Sequence, residues 1–125
     1  DVWYAHGVYF RNEELRLLAQ SRTGIAHCPV SNLRLGSGIA KVPEMLEIGV
    51  PVGLGVDGSA SNDSSNILRE MQAEILTHRV PWGVDSMDVQ KVLHTATMGG
   101  ARILGWERVG QLSPGWAADL SMWKV

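Results

Sequence analysis

The sequence predicts an α/β protein with a parallel sheet and helices outside it. Three observations carry that prediction. A short apolar run, a polar tip and a helical pattern follow one another three times. The tips His6, His27 and Asp57 are separated by 21 and 30 residues, ample for one βα unit each. The runs are continuously apolar, as in strands covered on both faces. After Trp82-Gly83 the repeat gives way to one long helical pattern and a small β element.

The first strand is Val2-Trp3-Tyr4-Ala5, ending at His6-Gly7. Asn12 is placed to cap the next helix, Glu13 and Glu14 suit its positive end, and Leu15, Leu17 and Leu18 give its inner side. The second strand begins at Gly24-Ile25-Ala26 and is stopped by Cys28-Pro29; a polar, Gly-rich loop is expected over 31–38. A short helix through Val42–Leu46 has Pro43 near its start and Gly49 past its end. The third strand covers 51–56 and ends at Asp57-Gly58. The helix beyond it carries Ile67, Leu68, Met71, Ile75 and Leu76 at helical spacing. Asp85 or Ser86 is expected to cap a further helix with Val89, Val92, Leu93, Ala96, Ile103 and Leu104 on one side. Strands are expected over 109–112 and, after a Pro114-Gly115 turn, over 118–125. Neither end reads as natural: Asp1 opens no signal peptide, and the last run stops inside an alternating pattern. The expectation is a piece of a longer protein.

Composition bounds the function. The 125 residues are 45% hydrophobic and 19% charged, which is globular and far from disorder. Eleven Lys+Arg against thirteen Asp+Glu leave no basic excess for phosphates, so no nucleic-acid partner is expected. No apolar run nears the roughly 18 residues of a membrane span, so no membrane association is expected either. The lone Cys28 forms no internal disulfide, consistent with a reducing compartment and a cytoplasmic location.

Asp57 is the foremost candidate for chemistry. A carboxylate at a strand end can bind a metal or move a proton; Asp-Gly is equally a turn, and Asp a helix cap. His6 has the same two readings. Its position matters because strand-end polar residues in a (β/α)₈ barrel converge on one pocket at the C-terminal face. His27 is either a site residue or a packing residue at the Cys28-Pro29 turn. Of the polar residues after strands two and three, Asn32 and Ser61 are the ones expected to orient a ligand or brace a metal ligand. Ser31, Arg34, Asn62 and Asp63 are assigned to loop solvation and capping. His78 and His94 lie within helices and are expected at the surface or in helix packing, and the five tryptophans in packing.

Several motifs together resemble the amidohydrolase superfamily: Ala5-His6-Gly7, the run from His27-Cys28-Pro29 to Gly36-Ser37-Gly38, and the run from Leu54-Gly55-Val56-Asp57 to Asn62-Asp63. The tail, Thr95 to Ala101 and Gly110 to Leu120, is similar to that superfamily's closing helix and accessory β domain. The branch it resembles is that of cytosine and guanine deaminases and triazine hydrolases. The run at 57–66 looks most like the 8-oxoguanine deaminases within it.

The resemblance implies that residues 1–84 form strands six to eight of a (β/α)₈ barrel, and 85–125 the closing helix and part of a small accessory β domain. It implies a metal-dependent hydrolase that deaminates a purine-like heterocycle of the 8-oxoguanine or guanine type, releasing ammonia. It implies His6 and Asp57 as catalytic, with Asp57 also a metal ligand, and matches His27 to the histidine of the family's His-Cys-Pro motif; His27, with Asn32 and Ser61 from their loop positions, is expected in substrate binding or support. It also implies zinc, with ferrous iron as the alternative metal, a small heterocyclic substrate and a homo-oligomer. The superfamily's strand-one His-x-His, its strand-five histidine and its acidic glutamate have no counterpart in these residues. The segment alone is therefore expected to be inactive without the missing half-barrel. A parent acting on a triazine or another ring is the other reading.

Overall fold

A computed structural model describes residues 2–124; the predictions that concern Asp1 and Val125 lie outside the described residues. Three strands form one sheet in the order β1-β2-β3: β1 (Trp3–Ala5), β2 (Gly24–His27) and β3 (Val52–Leu54). Both pairings are parallel, with Tyr4 opposite Ile25 and Ala26 opposite Gly53. The strands are shorter than their apolar runs, because Val2, Pro51, Gly55 and Val56 lie outside the ladder. β2 and β3 are buried as their sequences predict, whereas β1 is exposed along its whole length.

Among the described residues six α-helices follow or link the strands: α1 (Asn12–Ser21), α2 (Pro29–Arg34), α3 (Val42–Glu47), α4 (Ile67–Trp82), α5 (Val89–His94) and α6 (Gly100–Ile103). Leu15 and Leu18 of α1, Ile25, Val42, Met45, Val50 and Val52 make the main apolar core. Asn12 does not cap α1. It is the helix's first residue and accepts from Lys41 Nζ at 2.9 Å, while the Arg11 amide donates to Glu14 Oε2 at 2.7 Å.

The expected loop over 31–38 is helical through Arg34. Pro29 at the first turn supplies a helix-ready φ, and the otherwise orphaned Val30 amide finds a carboxylate on α4. α4 departs from its apolar stripe. The residues it buries are Glu70, Glu74 and His78, while Leu68 and Leu76 are exposed. Asp88, instead of Asp85 or Ser86, caps α5 by accepting the Lys91 amide at 2.7 Å, and Ser86 closes the turn after α4. The expected long helix is interrupted by a π-helical segment, Thr95–Gly99, which packs on β3. The expected strands at 109–112 and 118–125 are not formed among the described residues: 117–124 is exposed and joins no ladder, its tie to the rest being the Ala117 amide donating to the Arg108 carbonyl at 2.9 Å. No helix among the described residues is long and apolar enough to cross a membrane.

Candidate active site

The parallel order brings the ends of all three strands to one edge, but only two of the three polar tips share a cleft. His6 and Asp57 both sit in the left-handed backbone region, at φ 66° and 63°. That conformation costs a non-glycine residue about 1–2 kcal/mol and is characteristic of positions whose side-chain direction matters. His6 is held there by its own amide, which donates to the Ala26 carbonyl at 2.8 Å. Its Nδ1 lies 2.9 Å from Asn32 Oδ1, so Nδ1 carries the proton and Nε2 is directed away, 3.9 Å from Asp57 Oδ2.

Asp57 is clamped from two sides. Ser31 Oγ donates to Oδ2 at 2.5 Å and Ser61 Oγ donates to the same oxygen at 2.9 Å. These bonds, that of Ser31 foremost, then the Gly58 amide and Ser61, hold the carboxyl below the usual carboxylate range. Neither hydroxyl engages Oδ1. The cleft in front, about 510 Å³, is lined by His6, Asp57, Tyr9, Phe10, Glu14 and Ser37 among others. It joins a polar corner to an apolar wall, the form of a site that takes a small ring and fixes one edge of it.

The other candidates sort clearly. Asn32 and Ser61 touch His6 and Asp57. His27 does not reach the cleft: it is buried against α4, its ring 5.4 Å from that of His78, and neither ring nitrogen has a protein partner. Burial, with His78 and His6 nearby, pushes its pKa down to about 3, so it is neutral. Cys28 is buried and its thiol is pushed up to about 12, which removes it as a nucleophile or thiolate ligand at neutral pH. Ser31, assigned to loop solvation from sequence, is fully buried and makes the shortest contact to Asp57. Its signal was its place in the first turn of a helix that the sequence did not reveal. His78 is buried between Ala40, His27 and Trp82, and His94 is half-buried; both are packing residues, as expected.

The sequence matches the amidohydrolase family over residues 1–125. The chain is 46% identical over 124 residues to the 8-oxoguanine deaminase of Pseudomonas aeruginosa, covering 99% of this chain and 28% of that protein. It belongs to the amidohydrolase family. An isoxanthopterin deaminase from an unknown prokaryote is 41% identical over 140 residues, covering 100% of this chain and 29% of its own length. Among solved structures, the atrazine chlorohydrolase of Arthrobacter aurescens TC1, complexed with zinc, superposes with a TM-score of 0.89 at 38% identity. That match covers 94% of this amidohydrolase chain and 26% of the chlorohydrolase chain. The chain thus spans a little over a quarter of the curated relatives it matches.

A divalent metal in such a centre takes three protein ligands and keeps a fourth position open. No group of three or more His, Cys, Asp or Glu side chains suited to a metal exists among the described residues. Asp57 fits as one ligand: it is ionised, faces the cleft and has both hydroxyls on a single oxygen.

Proposed function

We propose that this segment supplies the acid–base corner of a metal-dependent hydrolase that deaminates a purine-like heterocycle of the 8-oxoguanine or guanine type, giving the oxo product and ammonia. The observation that carries the reading is the meeting of His6 Nε2 and Asp57 Oδ2, 3.9 Å apart, at the ends of two strands of an amidohydrolase sheet. Kinship with deaminases of two different fused heterocycles supports it.

In this reading residues 1–84 are the last three βα units of a (β/α)₈ barrel, and 85–125 its closing helix and the start of a small β domain. Bound zinc would lower the pKa of water from about 15.7 towards 7, supplying the nucleophile at neutral pH. Asp57 accepts a proton from the attacking water and passes it to the departing amine. Ser31 and Ser61 hold that carboxylate oriented throughout and ionised until it takes the proton. His6, its Nδ1 proton held by Asn32 Oδ1, turns Nε2 to the cleft and, when protonated there, stabilises negative charge at the attacked carbon's substituents. Tyr9 and Phe10 present the apolar wall for the ring.

The zinc-bound chlorohydrolase favours a second reading, in which the group displaced from the ring is chloride. Assay of the full-length, zinc-loaded protein with 8-oxoguanine, guanine, cytosine and a chlorotriazine separates the two. Ammonia from a purine supports the deaminase; chloride release alone replaces it; neither product from any of them overturns the hydrolase.

A further inference from the structure

The densest buried polar cluster outside the cleft is on α4. Glu70 is fully buried and forms no ion pair among the described residues, yet its two oxygens bind two separate segments. Oε2 accepts the Val30 amide at 3.0 Å, in the first turn of α2. Oε1 accepts the side-chain amide of Asn62, which is also fully buried. Asn62 in turn donates to the Val56 carbonyl at 2.7 Å and accepts the Ser64 and Ser65 amides at 3.3 and 3.2 Å, which shapes the loop 58–66 from within. Val30 is the residue before Ser31, and Asn62 the residue after Ser61. One carboxylate therefore grips the immediate neighbours of both serines that clamp Asp57.

We propose that Glu70 is a positioning residue for the reaction: by tying Val30 to Asn62 it holds the hydroxyls of Ser31 and Ser61 on Asp57 Oδ2. The inference rests on the hydrolase reading above. Both groups that Glu70 binds are donors, so the position demands an acceptor at each oxygen. The same two segments are also joined at the surface by Arg34 and Asp63, but that pair is solvent-exposed and contributes little. Asp57 needs this support because it is itself exposed and stands in a strained backbone conformation.

Glu70→Gln keeps the shape and turns one oxygen into a donor that must face either the Val30 amide or the Asn62 amide. In the full-length protein it should speed amide hydrogen exchange at Val30 and across 58–66, and leave β2 unchanged. It should lower kcat/KM by roughly 10–100-fold, the usual effect of losing such a support, with kcat falling more than KM rises. The loss should vanish when the serines are already gone, S31A/S61A/E70Q matching S31A/S61A within about twofold. A loss of the same size on top of S31A/S61A, or unchanged exchange in both segments, overturns the proposal. If the unsubstituted protein turns over none of the substrates, the hydrolase reading fails by itself, and the exchange comparison still decides whether Glu70 holds the two segments.

Discussion

Asn32 shows how far one polar contact can set chemistry. Its carbonyl oxygen, 2.9 Å from His6 Nδ1, fixes which imidazole nitrogen faces the cleft. Asn32→Ala in the full-length protein should lower kcat/KM by roughly 10–100-fold with little change in melting temperature; steady-state kinetics beside a thermal melt checks this, and unchanged kinetics would mean His6 needs no such orientation. The two helix histidines should part company. His78 is fully buried and its Nε2 sits 3.0 Å from the Ala40 carbonyl, so His78→Ala should cost about 2–4 kcal/mol. Half-buried His94→Ala should stay within about 1 kcal/mol. Urea unfolding of the two variants separates them. His6 and Asp57 were legible as candidates because a polar residue directly after an apolar run stands out, and Asn32 and Ser61 because they lie in the polar loops that follow strands two and three. Ser31 was not, since a serine after Pro29 reads equally as solvated loop, and Glu70 was not, since a glutamate within a helical pattern reads as its wet face.

At the scale of elements, α4 is where pattern reading and structure diverge most. Its apolar residues recur at helical spacing, but so do Glu70, Glu74 and His78, one turn apart, and it is these that the fold buries. Periodicity of hydrophobicity has no way to register a polar stripe that bonds to a neighbouring helix, a loop and a carbonyl, with Glu74 Oε1 alone of its oxygens left without a partner among the described residues. The stripe has a pH signature. Glu74, pushed up to about 8 chiefly by burial, keeps its proton in the folded state while the unfolded chain releases it above about 4.5. Its contribution is therefore full below that pH and is lost as pH rises towards 8, at up to about 1.4 kcal/mol per pH unit. His27 has the opposite sign: its folded pKa is depressed, so stability is lost as pH falls from 6.5 towards 3. Glu74→Gln should stabilise the protein increasingly from pH 5 to pH 8, measured by denaturant midpoints. A difference independent of pH would show that Glu74 is ionised in the fold. The π-helical segment after α5 is a second element invisible to the sequence, and Gly99 explains it: a Cβ there would lie 2.0 Å from the Val52 carbonyl oxygen on β3. The helix path bulges to let backbone rest on strand. Gly99→Ala should cost about 3 kcal/mol or more, read from the same unfolding curves.

At the scale of the whole molecule, the parallel order of the sheet and its helices outside were predictable from three repeated units. So was an open edge, since three units leave the outer strands without a neighbour; β1, apolar yet exposed along its whole length, is such an edge. Val2, Trp3 and Tyr4 are all exposed along this open edge. Expressed by themselves, the 125 residues should self-associate through it; a compact monomer on sedimentation would contradict that. The open edge, and the lack of a three-ligand metal group among the described residues, are what the proposed hydrolase reading requires of such a segment. The most direct test of that chemistry is Asp57→Asn in the full-length protein, followed by kcat/KM and bound zinc per chain. Asparagine preserves the side chain's shape and its capacity to cap a turn, and removes only the charge and the basic oxygen. The account predicts a fall of about 10²–10⁴-fold together with a loss of bound zinc; wild-type turnover at full zinc content would contradict it.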